Sequence, residues 1–163
     1  MKNYDVIVLG GGLAGLAISI QLKLSKPDIK ILVLERRKSV APTSAHKVGE
    51  STVELASYYL RHVLQLKDYL EKHELPKYGL RFFFKSHTKE VIDSRVELGP
   101  RKWLYTPSHQ LDRGTLENHM AEKTAGLGTD FLLDAVAKDV DFGKESSTVT
   151  YTHHGEEVKA TAR

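Results

Sequence analysis

The stretch YDVIVLGGGLAG, residues 4–15, joins a strand-like apolar run to three consecutive glycines and decides the fold of the chain. The residues that follow, up to Leu24, place small and apolar side chains at helical spacing. A second apolar run, residues 31–34, is typical of a buried parallel strand and leads directly to Glu35. Strand, glycine turn, helix, strand and acid in this order indicate a βαβ unit that binds a dinucleotide.

Individual residues of the glycine loop have different predicted roles. Gly10 allows the tight turn after the strand, and Gly12 lets backbone N–H groups approach a diphosphate. Gly15 lets the helix pack closely against the sheet. Leu13 and Ala14 begin the helix, whose positive end would attract the diphosphate.

Glu35 is the acid of this predicted unit. Its position after the second strand suits a carboxylate that accepts hydrogen bonds from the hydroxyls of a ribose. An acid here would repel a 2′-phosphate, so the pocket should prefer a cofactor without one. The alternative interpretation of the whole unit is a glycine-rich turn that holds no nucleotide.

Composition bounds the functional class. With 163 residues, of which 40% are hydrophobic, the chain can form a globular domain with a core. Its 24 basic and 21 acidic residues are spread along the chain, so nucleic acid is not expected as a partner. The lack of cysteine excludes disulfides, and the eight histidines lack metal-ligand spacing. No apolar stretch is long enough for a membrane span, so we expect a cytoplasmic protein without a metal or a membrane partner.

A further helix is predicted after Gly49. Ser51 and Glu54 have the spacing of a capping box, which would place the start of the helix at Ser51. Its predicted apolar face comprises Val53, Ala56, Leu60, Val63 and Leu64.

The rest of the chain alternates between strand and helix patterns. Strands are predicted at residues 80–84 and 96–105, a helix at 111–125, and a small antiparallel β meander at 136–161. The last residues read as a strand with no turn or cap after it. We therefore expect residues 1–163 to be one incomplete domain whose terminal strand forms an unpaired edge.

Four segments resemble the flavin-dependent monooxygenases of the p-hydroxybenzoate hydroxylase type, and within that group the flavin-dependent halogenases. These are VIVLGGGLAGL at 6–16, LERR at 34–37, VGEST at 48–52 and LDRGTLENHM at 111–120. The resemblance implies an α/β, Rossmann-like FAD-binding domain with FAD as cofactor and a small-molecule substrate. It also implies reduction by NAD(P)H or by a separate flavin reductase. The second flavin-binding segment and the catalytic glutamate of such enzymes would lie beyond residue 163.

The resemblance also assigns residues to the adenosine half of FAD. It implies that Glu35 binds the ribose and that Arg36 lies beside the adenine or a phosphate, although Arg36 could equally be a solvated charge. Arg113 would reach the phosphates from a helix capped by Asp112, unless it forms an intrahelical ion pair with Glu117 instead. Ala137 would bind the adenine through its backbone.

Gly49, Ser51 and Thr52 match a stretch that lies near the flavin ring in the similar halogenases. Free N–H groups and a hydroxyl could hydrogen-bond to the ring there, whereas an ordinary capped helix would not require Gly49.

Lys77 is the candidate catalytic residue. The segment KYGLRF, residues 77–82, resembles the K-x-G-x-x-F pattern of the halogenases. In that family, reduced FAD, O2 and a halide give hypohalous acid, which the lysine holds by a hydrogen bond or as a haloamine. The alternative is a solvent-facing lysine after Pro76.

Three functions are consistent with these patterns. The first is a halogenase-like FAD-dependent oxidoreductase that activates O2. The second is a hydroxylating monooxygenase or an isoprenoid-type flavin reductase, in which Lys77 is only structural. The third is a truncated FAD-binding module without turnover.

Overall fold

The computed structural model describes residues 2–85, 91–102, 105 and 107–163. It forms two compact units, of which the first comprises Met1–Val48 with Asp112–Arg163 and the second Gly49–Leu111.

The strands of the described residues are, in chain order, β1 (Lys2–Tyr4), β2 (Val6–Leu9), β3 (Ile31–Leu34), β4 (Leu75–Lys77), β5 (Phe82–Phe84), β6 (Val96–Leu98), β7 (Ser108–Gln110), β8 (Asp130–Leu132), β9 (Ala135–Phe142), β10 (Ser147–His153) and β11 (Glu156–Ala162). The helices are α1 (Leu13–Ser25), α2 (Glu54–Tyr58), α3 (Lys67–His73) and α4 (Arg113–Gly126). A π-helical segment spans Tyr59–Val63, and a 3-10 turn spans Ile92–Ser94. No helix among the residues described here is long and apolar enough to cross a bilayer.

A parallel sheet in the order β2-β3-β8 forms the centre of the first unit. All four residues of β3 are buried, as the continuous apolar run predicts. α1 packs against α4, and each helix contributes side chains with no exposed area, Leu16 and Ile20 from α1 and Leu116 and Met120 from α4. Each such side chain stabilises the unit by about 1.5–3 kcal/mol relative to an exposed one.

The antiparallel meander of the first unit is confirmed, but its edges differ from the prediction. The sheet order is β1-β11-β10-β9, so the terminal strand β11 pairs on both sides and is not an unpaired edge. Its second partner is β1, because the run predicted as one strand divides at Asp5 into β1 and β2. The Asp5 carboxylate accepts a hydrogen bond from the backbone N–H of Lys30 (2.8 Å) at this division.

The second unit contains two antiparallel strand pairs, β4 with β7 and β5 with β6. The predicted strand at 80–84 is β5, and that at 96–105 is represented by β6, with residues 103 and 104 outside the described part.

The predicted capping box is wrong. α2 starts at Glu54 with Val53 before it, and no side chain in the described part of the chain caps it. Ser51 forms an isolated β-bridge with Gln110. Ser51 does not act as the cap because its backbone is paired in this bridge and its hydroxyl binds a lysine from another strand. Leu60 and Leu64 are buried as predicted. The other three apolar residues, Val53, Ala56 and Val63, are exposed, and Ser57 is buried on this helix instead.

Candidate functional site

The glycine loop between β2 and α1 has the geometry that its sequence predicts. Gly10 has a φ of +112°, which L side chains rarely adopt. A Cβ atom on Gly15 would lie 2.0 Å from the carbonyl oxygen of Gly10, so only glycine permits this approach of helix to strand. A Cβ atom on Gly12 would meet no atom of the described residues within 4 Å. Space is therefore open beside the first turn of α1.

The N-terminus of α1 suits an anion. No side chain of the described residues caps it, and its first turn contains no acidic residue. Leu13 is half-buried and Ala14 is exposed at this end of the helix. A diphosphate in the open space beside Gly12 would lie at the positive end of the helix dipole.

Glu35 is held beside the loop by several donors. It is 6% exposed, and its Oε2 accepts a hydrogen bond from the Gly11 N–H (2.7 Å). Its Oε1 accepts one from the Arg37 N–H (2.9 Å) and lies 3.2 Å from the Arg37 Nε. Burial is the largest influence and raises the pKa of Glu35, but the two amides and the guanidinium together lower it below its ordinary value. The carboxylate is thus ionised and keeps acceptor capacity for a ribose hydroxyl.

Gly11 has a role that the sequence reasoning did not assign. It is buried, and a Cβ atom here would lie 2.8 Å from Cε2 of Phe131 and 3.0 Å from Cβ of Glu35. A larger residue would force the Phe131 ring and the Glu35 side chain to shift.

Of the two arginines in LERR, the structure brings Arg37 to the loop. Its Nη2 donates a hydrogen bond to the carbonyl oxygen of Gly11 (3.0 Å). Arg36 is exposed, and no ion pair joins it to the part of the chain described here. The alternation of a buried Glu35, an exposed Arg36 and a half-buried Arg37 has the period of extended chain. That period is a signal that could have identified Arg37 from the sequence.

Arg113 forms the intrahelical pair that was considered as an alternative. Its Nη2 donates to Oε1 of Glu117 (2.6 Å), and its Nη1 donates to the carbonyl oxygen of Val48 (2.6 Å). Lys47 donates to Oε2 of the same glutamate, and the Arg37 Nη1 lies 3.8 Å from that oxygen. The role of Arg113 toward a phosphate stays a prediction.

The LDRGTLENHM segment also holds the loop of residues 41–48 in place. Asp112 caps α4 as predicted, since its Oδ1 accepts from the Gly114 N–H (2.9 Å). Its Oδ2 accepts from the Ser44 N–H (2.9 Å), and this bond is the main reason why the pKa of Asp112 is lowered. Asn118 and Ala41 exchange two hydrogen bonds of 2.8 Å each.

Ala137 lies on β9, is exposed, and is paired with Tyr151 at an irregularity of the sheet. Near it, the backbone N–H groups of two other residues bind the segment that contains Glu35. The Ala135 N–H donates to the carbonyl oxygen of Glu35 (2.9 Å), and the Asp134 N–H donates to that of Arg37 (2.8 Å). The adenine contact of Ala137 stays a prediction.

In the second unit, the structure brings Lys77 together with Ser51 and Thr52. The Lys77 Nζ donates to the hydroxyl oxygen of Ser51 (2.5 Å) and to the carbonyl oxygen of Thr52 (2.6 Å). Lys77 is half-buried, and its catalytic role stays a prediction. Gly49 has a φ of +88° and lies before this segment. The contact of these residues with a flavin ring stays a prediction.

His109 supports the group formed by Lys77, Ser51 and Thr52, and the sequence reasoning missed it. It is 2% exposed, its N–H donates to Oγ1 of Thr52 (2.7 Å), and its carbonyl oxygen accepts from the Thr52 N–H (2.9 Å). Its Nδ1 lies 2.7 Å from the buried hydroxyl of Ser57. Burial, followed by the charge of Arg61, lowers the pKa of His109, so the ring is neutral at neutral pH. No spacing in the sequence distinguishes this histidine from the others.

Known proteins share sequence and fold with this chain. The profile of a family described as FAD binding domain matches residues 3–163. The flavin-dependent halogenase chlA from Dictyostelium discoideum is 38% identical over 86 residues, which cover 50% of this chain and 14% of the halogenase. An L-2-hydroxyglutarate dehydrogenase from Indibacter alkaliphilus is 34% identical over 103 residues, which cover 61% of this chain and 24% of the dehydrogenase.

A similar fold is also found among solved structures. The myxobacterial chondrochloren halogenase CndH matches with a TM-score of 0.80 and 24% identity, over 99% of this chain and 36% of that chain. The likeness confirms the predicted α/β fold. The chain spans only 14%, 24% and 36% of the lengths of these three proteins.

Proposed function

Because the chain belongs to the family of FAD-binding domains, with FAD as its cofactor, we propose that the whole protein is a halogenase-like oxidoreductase that acts on a small molecule. The family contains flavin-dependent oxidoreductases and monooxygenases, and the halogenase chlA is among the similar proteins. The assignment as a halogenase depends on Lys77 and its contacts with Ser51 and Thr52 in the second unit.

The residues of the first unit fit FAD. The open space beside Gly12 would receive the diphosphate, which the N–H groups of Leu13 and Ala14 would bind. The ionised Glu35 would accept hydrogen bonds from the adenosine ribose and would disfavour a 2′-phosphate. When bound and reduced by NAD(P)H or by a separate reductase, FAD would supply hypohalous acid from O2 and a halide.

The hydrogen bonds of Lys77 carry the proposal. An ammonium group has three N–H donors, and two of those on Lys77 are used by Ser51 and Thr52. The third has no partner among the residues that the structure describes. It can donate to the oxygen of hypohalous acid, which polarises the oxygen–halogen bond and fixes the direction of the halogen. The substrate carbon then takes the halogen as that bond breaks, and the hydroxyl leaves with the substrate's proton as water.

The test is Lys77→Ala in the whole protein, with Lys72→Ala on the exposed surface of α3 as the matched control. Each variant is supplied with NADH, a flavin reductase, bromide and phenol, and bromophenol is measured by mass spectrometry. We expect the Lys77 variant to retain FAD and oxygen consumption while bromophenol falls by about 10²-fold or more. The control should match the parent.

Two results would overturn the proposal. One is equal halogenation by the Lys77→Ala variant and the parent, and the other is a parent that gives no halide-dependent product. Either result would favour a dehydrogenase or a hydroxylating monooxygenase in which Lys77 only orders Ser51 and Thr52.

A further inference from the structure

Glu117 is a buried carboxylate that the proposed chemistry does not use. It lies on α4, is 1% exposed, and contacts three cations, those of Arg37, Lys47 and Arg113. Loss of hydration strongly destabilises a buried carboxylate unless cations pair with it, so Glu117 requires these three cations as neighbours. The pairing fixes their positions in return.

One of these cations connects Glu117 to the glycine loop. Arg37 donates to the carbonyl oxygen of Gly11 (3.0 Å), and its Nε lies 3.2 Å from Oε1 of Glu35. Its Nη1 is buried, has no hydrogen-bond partner among the described residues, and lies 3.8 Å from Oε2 of Glu117. A single side chain thus joins the buried carboxylate of α4 to the carboxylate predicted to bind the ribose.

The network is rich in positive charge. Three cations, Arg37, Lys47 and Arg113, share the two carboxylates Glu35 and Glu117. Of the three, Arg37 lies at the glycine loop that precedes α1. A diphosphate has the opposite charge and fits the open space beside Gly12.

We propose that Glu117 is a positioning residue that holds Arg37, Lys47 and Arg113 in the arrangement that receives the diphosphate of FAD. This inference rests on the FAD site of the first unit, and it is independent of halogenation. Glu117 itself does not touch the cofactor, since its carboxylate is buried under the cations.

The direction in which one substitution changes the affinity for a diphosphate distinguishes positioning from simple electrostatic attraction. Glu117→Gln keeps the shape of the side chain but makes the network more positive by one charge. If the cations acted only by attraction, the variant would bind a diphosphate more tightly. If Glu117 positions them, the variant binds it more weakly, because the cations repel one another and leave the site.

The experiment measures ADP and adenosine binding to the flavin-free whole protein by calorimetry. ADP carries the diphosphate and adenosine does not, so the ratio of their affinities reports the diphosphate contacts alone. For Glu117→Gln we expect ADP affinity to fall about tenfold while adenosine affinity stays within about twofold of the parent. Glu122→Gln, which changes an exposed glutamate of the same helix, is the matched control and should leave both affinities unchanged.

Lys47→Met keeps the inference testable if Glu117→Gln does not fold. The Lys47 side chain is 31% exposed, so its loss should be tolerated, and the ratio of ADP to adenosine affinity should again fall. An unchanged or higher ratio in either folded variant would overturn the inference, as would a parent that binds ADP no better than adenosine. A parent that binds ADP tightly but never halogenates would refute only the proposed halogenase activity.

Discussion

The two candidate regions are stabilised by different interactions. Around the glycine loop of the first unit, formal charges hold the side chains, with Glu35 and Glu117 each bound to arginine. In the second unit, Lys77 is held by neutral groups, the hydroxyl of Ser51 and the backbone carbonyl of Thr52. The N–H of His109 in turn donates a hydrogen bond to the Thr52 hydroxyl. The first region should therefore respond to changes of charge and the second to protonation of its buried histidine.

The largest effect should follow from closing the open space of the first region. Gly12→Val introduces a side chain where a Cβ atom meets no described residue within 4 Å, so the fold should persist while the proposed site of the diphosphate is filled. We expect the whole protein to lose its FAD, measured as flavin absorbance per protein. Lys144→Ala, in an exposed turn, is the control and should keep its flavin. Equal flavin content in the two variants would show that the loop is only a turn.

Local patterns predicted the first region well. The strand, the glycine turn, α1, β3 and Glu35 lie within 35 consecutive residues, and each depends on short-range rules of turn geometry and hydrophobic spacing. The cap of α4 by Asp112 is equally local, since its donor Gly114 is two residues away.

The missed features depend on distant partners. Lys47 and Glu117 are 70 residues apart, and Thr52 and His109 are 57 apart, so no local spacing reveals either contact. The same reason explains the wrong capping box, because Lys77, 26 residues away, takes the hydroxyl of Ser51. The prediction of an unpaired terminal edge is wrong for the same reason, because nothing in the sequence of β11 indicates that β1, at the opposite end of the chain, pairs with it.

A smaller effect is expected in the second region, where the stability of the protein should depend on pH through His109. Burial and then Arg61 lower the pKa of His109, while Glu71 opposes them. Above about pH 6.5 the histidine is neutral in the folded and unfolded states. Below that pH the unfolded chain binds a proton that the folded chain does not, so stability falls as the pH falls.

The measurement is the melting temperature of the whole protein between pH 7.5 and 5. His109→Gln should be less stable at neutral pH but should lose less stability on acidification than the parent. His73→Gln, which changes an exposed histidine of the same unit, should keep the slope of the parent. Parallel curves for the parent and the His109 variant would contradict a buried neutral histidine in the second region.

The smallest effect concerns Arg36, which lies beside the charged network of the first region but outside it. It is exposed, and in the described part of the chain it pairs with no acid, whereas Arg37 binds Gly11 and Glu35. Because exposed charges contribute about 0–1 kcal/mol, Arg36→Ala should change the dissociation constant of FAD by no more than about fivefold. Arg37→Ala should weaken FAD binding further, because it leaves Glu35 and Glu117 without a shared cation. Flavin fluorescence titration of both variants measures the difference, and a larger loss with Arg36→Ala would mean that Arg36 contacts the cofactor directly, as the family resemblance implies.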